Sequence, residues 1–282
     1  MMGPDAQLEF EHCRELVMLP GSLFEFTSRY LPAERQEPVL ALYALVHAIG
    51  MIPGSSLDDE VKLAKLKWWG EELMAEPDSS SRHPVLRALW FSKARSLLGD
   101  ALLLRLVTDS LQQIDVVPSG DETAMFSRLA ALGATELQLE LALDCAEIDT
   151  HNLEYLGAAS RLFRIVTDLA HSNRFAMAQI PLNVLAKHET SLVELENAEK
   201  PDALQAIIQQ LAGYGLEWFA NGMSGLNVAP GPRAGAHLQL RLGMEKRRLS
   251  EIADDTAAFL GANKRYGPAD AWFAWRFLRS IQ

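Results

Sequence analysis

The chain has 282 residues, 49% of them hydrophobic and 22% charged, a balance that excludes a disordered or collagen-like polypeptide and leaves ample apolar material for a core. Its 26 Lys and Arg against 37 Asp and Glu give a net charge of −11, which argues against nucleic-acid binding, because phosphate backbones are met by basic faces. Two cysteines, Cys13 and Cys145, are too few for a disulfide framework or a zinc knuckle and fit a reducing compartment as small core residues.

In chain order, Met1 to Phe10 carries acids and no basic region, so it does not read as a secretory signal. A cytoplasmic address is expected, with peripheral contact at the inner membrane left open. Breaks fall at Pro20-Gly21-Ser22, Pro53 to Ser56, Pro77 to Pro84, Pro118-Ser119-Gly120 and Asn227 to Gly235. Between them apolar residues recur at three- and four-residue spacing, as in Leu238, Leu242, Leu249 and Ile252, and no alternating strand pattern appears. Pro32 and Pro84 suit a first helical turn, and Ser56 or Asp121 could cap. The segment from Val39 to Ile49 is apolar on every side of a helical wheel, which predicts a central buried helix. Its apolar run, bounded by Pro38 and Pro53, is shorter than the roughly 20 residues that span a bilayer. A second buried helix is expected from Tyr155 to Leu169. With no composition shift and no repeat, the expectation is one all-α domain over residues 1–282, a bundle of roughly ten helices.

Several segments form an ordered set along the chain. They are Cys13-Arg14-Glu15-Leu16, Gly21-Ser22-Leu23-Phe24, Ser28 to Pro32, Arg35 and Leu42-Tyr43-Ala44-Leu45. Further along come Trp68/Trp69 with Glu71-Glu72-Leu73, His83-Pro84-Val85, Leu156-Gly157 leading to Asp168, Pro181, and Tyr214 to Pro230. In this order and spacing they resemble the squalene and phytoene synthases, and the resemblance covers about residues 13–252. It implies an isoprenoid-synthase-like helical fold around an apolar cavity, in which two prenyl diphosphates are joined head to head. Two aspartate-rich motifs at the mouth would hold Mg²⁺, which takes oxygen ligands and neutralises a departing diphosphate.

The chain departs from that pattern where the chemistry would sit. At the first-motif aspartates it has Gly50, Met51 and Gly54, and the arginine just upstream matches His47. Pro53 should end that helix early. In the second motif Asp168 survives, the second aspartate matches Ser172, and His171 lies between them. Arg174 is kept, while the following glycine and arginine match Ala176 and Met177. A single carboxylate cannot organise several Mg²⁺ ions, so no cofactor is expected, or Mg²⁺ if a metal site has been rebuilt elsewhere.

Candidate residues follow. Asp58, Asp59 and Glu60 read as the acidic start of a helix, or less readily as relocated metal ligands. Glu136, Glu140 and Asp144, at i, i+4 and i+8, form one carboxylate stripe. That stripe is expected to be a solvated face; the alternative is a cavity-facing metal site of Glu136 and Glu140 with Asp168. Asp168 and His171, at i and i+3, are catalytic candidates as a proton-transfer pair, or a plain helix-surface contact. Arg161 and Arg164 are expected to pair with Asp168 in a salt-bridge network, or to bind an anionic head group together with Arg174. Tyr43 and His47 are expected to line the ligand cavity. Lys246-Arg247-Arg248 reads as a solvated basic run, with contact to a lipid surface as the alternative.

The tail, 268–282, carries Trp272, Phe273, Trp275, Phe277 and Leu278 beside Arg276 and Arg279. It is expected to pack on the bundle, with docking to a partner or membrane as the alternative. Two functions stay open. One is a family member that has lost Mg²⁺-dependent condensation and binds an isoprenoid or other lipid, or serves as an assembly or scaffold factor, as a mitochondrial relative with degraded motifs does for respiratory complex I. The other is an active prenyltransferase with a rebuilt metal site.

Overall fold

The computed structural model describes residues 4–75, 83–114, 117–144, 146, 148–171, 173–224, 235–261 and 266–280. Cys145, Ser172, Ser79 and most of the break from Asn227 to Gly235 lie outside them. Among the described residues all regular structure is helical, in sixteen helices. Ten run eight residues or longer; the rest are four to six residues long, too short for sequence periodicity to register.

The N-terminal part comprises α1 (Pro4–Val17), α2 (Leu23–Ser28), α3 (Ala33–Gly50), α4 (Asp59–Met74), α5 (Pro84–Phe91), α6 (Ala94–Leu97) and α7 (Asp100–Leu111). Ser22 caps α2 by accepting from the Glu25 N–H, while Glu25 accepts from the Gly21 N–H at 2.6 Å. α3 is buried on most sides, as its all-round apolarity predicts, and it ends at Gly50, three residues before Pro53. Ser56 does not cap α4. The helix starts after Asp58, and Asp59 pairs with Lys62 at 2.9 Å, so these acids form a helix start. Pro84 opens α5 behind His83, whose Nδ1 accepts from the Val85 N–H.

The C-terminal part comprises α8 (Glu122–Leu143), α9 (Thr150–Leu169), α10 (Arg174–Met177), α11 (Leu182–Lys187), α12 (Leu192–Glu196), α13 (Pro201–Met223), α14 (Ala236–Asp254), α15 (Thr256–Gly261) and α16 (Pro268–Ser280). Asp121 caps α8 and Asp149 caps α9. α8 and α9 form the most extensively packed pair, and a glycine contact sets their separation. A Cβ on Gly133 would lie 2.2 Å from the Gly157 carbonyl oxygen, and one on Gly157 would lie 2.4 Å from the Ala134 nitrogen. Only glycine permits that approach.

Two apolar cores result. One gathers α1, α3, α4, α5 and α7; the other gathers α9, α11, α13 and α14. α8 belongs to both, giving Leu132, Leu139 and Leu143 to the first and Leu129, Leu137 and Leu141 to the second. A small third cluster docks α16 on α14 and α2 through Phe26, Leu240, Met244 and Ala274. No described helix is long and apolar enough to cross a membrane.

Candidate functional site

Between the two cores lies a cavity of about 410 Å³. The α1 end and the turn after it, α2 and α3 line one wall with Leu16, Val17, Leu19, Leu23, Phe24, Leu42, Tyr43, Val46 and His47. The Phe24 and Tyr43 rings stack at 4.1 Å. The facing wall, from α8, α9 and α14, presents Glu136, Glu140, Phe163, Arg164, Asp168, Arg241 and Glu245. A larger surface depression of about 600 Å³ beside Trp90 and Lys93 holds none of the predicted site residues. The site is placed in the smaller cavity, where charged groups from three helices converge.

The carboxylate stripe of α8 points inward. Glu136 and Glu140 are only 7% and 6% exposed, which corrects the expectation of a solvated face. The i, i+4 spacing names one face of a helix but not whether that face meets water, and here the α9 and α14 arginines cover it. Glu136 accepts from Arg161 Nη1 at 3.1 Å and from Arg164 through both terminal nitrogens. Glu140 accepts from Tyr43 Oη at 2.9 Å, His237 Nδ1 at 2.8 Å and Arg241 Nη2 at 3.1 Å. Asp144, the third member, pairs with Arg35 at 3.0 Å and accepts from the Gly235 N–H.

The expected partner of Arg161 and Arg164 is also corrected: both bond to Glu136 across the α8–α9 contact, not to Asp168 along their own helix. Asp168 sits at the cavity mouth, exposed at its edge, with no side-chain hydrogen bond among the described residues. His171 does not bond to it; its Nδ1 lies 2.9 Å from the Thr167 carbonyl oxygen on the exposed surface. Arg174 stands away from the cavity, its side chain 81% exposed and paired with Glu196 at 2.9 Å. Tyr43, His47, Glu136, Glu140, Arg164 and Asp168 are thus brought together. Arg161 joins them through Glu136, and His171 and Arg174 stay outside.

Sequence reasoning missed the α14 contribution. His237, Arg241 and Glu245, at i, i+4 and i+8, mirror the α8 stripe, and that spacing was a readable signal. Arg241 Nη1 donates to Ser160 Oγ at 2.9 Å and to Glu245 Oε1 at 2.6 Å. Arg248, one turn further, is buried against Glu251 and the Tyr266 ring, so the Lys246-Arg247-Arg248 run is not simply a solvated face. Glu245 Oε2 and Arg241 Nε are buried without a hydrogen-bond partner among the described residues.

The electrostatics follow from these contacts. Burial pushes the Glu140 carboxyl up, but Arg241, His237 and Tyr43 outweigh it and hold it at about 2. Burial likewise raises Glu136, and Arg164 and Arg161 outweigh it, so it too stays below the usual carboxylate range. For Glu245 burial wins over Arg241, and for Asp168 partial burial wins over Arg164, so both titrate above the ordinary range. Burial, aided by Arg164, lowers His47 and favours its neutral form. Burial also raises the Cys13 thiol to about 12, away from this site, which marks it as a core residue.

The sequence profile of the squalene/phytoene synthase family matches residues 20–268, and the chain belongs to that family. Three solved structures share its fold. A dehydrosqualene synthase in complex with ligand superposes with a TM-score of 0.63 at 14% identity, over 98% of this chain and 96% of its own. Squalene synthase HpnC from Alicyclobacillus acidocaldarius gives 0.65 at 19% identity, over 90% and 96%. TcSQS in complex with the ligand E5700 gives 0.66 at 14% identity, over 99% and 90%. Among curated protein sequences none matches.

The residues present do not fit the divalent cations that the family resemblance implies. Glu136 and Glu140 have their oxygens occupied by arginine, tyrosine and histidine donors, and Asp168 stands apart. No group of three or more His, Cys, Asp or Glu arranged to hold a metal ion occurs among the described residues.

Proposed function

We propose that this member of the squalene/phytoene synthase family uses its cavity to hold an isoprenoid or similarly apolar lipid, and does not carry out Mg²⁺-dependent condensation of prenyl diphosphates. Such a protein serves as a lipid-binding or assembly factor. The observation that carries the reading is the occupation of Glu136 and Glu140 by Arg161, Arg164 and Arg241, three guanidinium groups each committed to a glutamate. A diphosphate arriving there meets no free arginine pair, and the one open carboxylate at the mouth, Asp168, is too little to organise metal ions around it. An apolar chain instead finds a wall of leucine, valine and stacked aromatic side chains, in a volume within the roughly 300–1,000 Å³ typical of small-molecule sites. The unpartnered Glu245 Oε2 would accept from a hydroxyl on such a ligand.

One observation favours the alternative of a rebuilt prenyltransferase: the Asp168 carboxylate at the mouth accepts no hydrogen bond from the described residues. A metal held by this one side chain would bind weakly.

Calorimetric titration with farnesol tests the binding reading. Saturable binding is expected, weakened at least tenfold by Val46→Trp, which fills the cavity from α3. Absence of saturable binding, or binding that this replacement leaves unchanged in a variant with native circular dichroism, would overturn it.

A further inference from the structure

α16 divides into two stripes. Phe273, Ala274 and Phe277 face the bundle: Ala274 is fully buried, Phe277 packs against Gly243, and Phe273 lies under the Arg247 guanidinium at 5.0 Å. Asp270 is held by Arg247 on the same side. Trp272, Trp275, Arg276 and Arg279 occupy the outer stripe at i, i+3, i+4 and i+7, a single face of the helix, and all four are exposed. The two indoles are 59% and 50% exposed. Each sits beneath the arginine four residues on, Arg276 over Trp272 at 5.4 Å and Arg279 over Trp275 at 4.3 Å.

We propose that this outer face of α16 docks the protein onto an anionic lipid surface. The sequence requires nothing of this kind for folding, because the inner stripe already anchors the helix. Two large aromatic rings side by side in water are disfavoured unless something covers them. Indole rings are enriched where an apolar interior meets a polar head-group layer, since one edge is apolar and the N–H is a donor. The arginines add two positive charges and the stripe carries no acid, whereas the chain as a whole has a net charge of −11. An anionic surface therefore repels most of the molecule and attracts this face, which fixes the orientation of docking. The cation–π pairs hold each guanidinium beside its ring, so charge and apolar surface arrive together. Attachment is reversible and salt-sensitive, because a single short helix provides it.

The test is co-sedimentation of the full-length protein with phosphatidylcholine vesicles, with and without phosphatidylglycerol, at low and high salt. Binding is expected only with phosphatidylglycerol and is expected to fall in high salt. The double variant Arg276→Gln/Arg279→Gln should weaken it by about thirtyfold, since each basic residue at such a surface contributes roughly a fivefold factor. Trp272→Ala/Trp275→Ala should weaken it at least as much. All four positions are exposed, so the variants should fold, which circular dichroism checks. No vesicle binding, equal binding to neutral vesicles, or full binding by either double variant would overturn the proposal. So would a dimer in light scattering that the tryptophan variant dissolves, because the stripe would then be covered by a second copy.

Discussion

The α1–α2–α3 wall of the cavity presents leucine, valine and a Phe24–Tyr43 stack, while the α8–α9–α14 wall opposite presents four carboxylates and two guanidinium groups, with a third, that of Arg161, just behind. The first wall has its surface free for a ligand. The second has turned most of its polarity on itself. Buried ion pairs rarely add net stability over apolar packing, because desolvation of each charge is large. A wall with this many buried charges therefore points to constraint by something other than stability. It also shows why breaking the network costs far more than never building it.

Three changes sharpen the contrast between the walls. Glu140→Ala removes the acceptor shared by Tyr43, His237 and Arg241 and takes one of its three hydrogen-bond partners from the buried Arg241 guanidinium. The expected loss is about 3–5 kcal/mol in urea denaturation. A loss below about 1 kcal/mol would mean that water replaces the carboxylate and that the polar wall is wet.

Acid should unlock the same wall. The Glu140 carboxyl sits at about 2 in the folded protein against an ordinary 4.5. A depressed carboxylate stabilises the fold above its unfolded value and loses that contribution as pH falls through the folded one. About 3 kcal/mol should therefore disappear between roughly pH 4.5 and 2. Glu245 and Asp168 are raised, so their ionisation opposes folding, and that penalty is relieved as pH falls towards their ordinary values, before most of the Glu140 contribution is lost. Urea midpoints across that range should fall more steeply for the native chain than for Glu140→Gln. Parallel slopes would remove Glu140 as the acid-sensitive group.

The smallest effect tests the scaffold that brings the polar wall together. Gly133→Ala puts a Cβ against the Gly157 backbone and should cost about 1–3 kcal/mol by prising α8 from α9. Gly213→Ala, in α13 with open space around it, should instead stabilise by about 0.5–1 kcal/mol. Similar outcomes at the two positions would show that the glycine contact does not set the spacing of Glu136 and Arg161.

Much of this architecture was readable from residues alone. Helical periodicity and the Pro/Gly breaks gave the long helices, and the all-round apolarity of Val39 to Ile49 gave the central position of α3. The ordered matches from Cys13 onward gave the family. Which way a polar stripe faces was not readable. Glu136 and Glu140 look like a solvated face because carboxylates usually are one. Their burial depends on arginines reaching from α9 and α14, 25 and 101 residues away in sequence. Arg164 and Asp168 share a helix, yet Arg164 finds its partner on α8, because the Gly133–Gly157 contact brings Glu136 closer than spacing along α9 suggests. The α14 stripe carried the same i, i+4 signature as α8 and was hidden among leucines.

We propose that arginines occupy the place of metal beside a cavity that holds an isoprenoid. This is tested most directly by incubating the purified protein with farnesyl and geranylgeranyl diphosphate and Mg²⁺ while following pyrophosphate release and products by mass spectrometry. The account predicts no pyrophosphate above background and no condensed hydrocarbon from protein that binds farnesol. Metal-dependent release of pyrophosphate with a head-to-head product would contradict it and would make Asp168 and the α8 glutamates the first residues to replace.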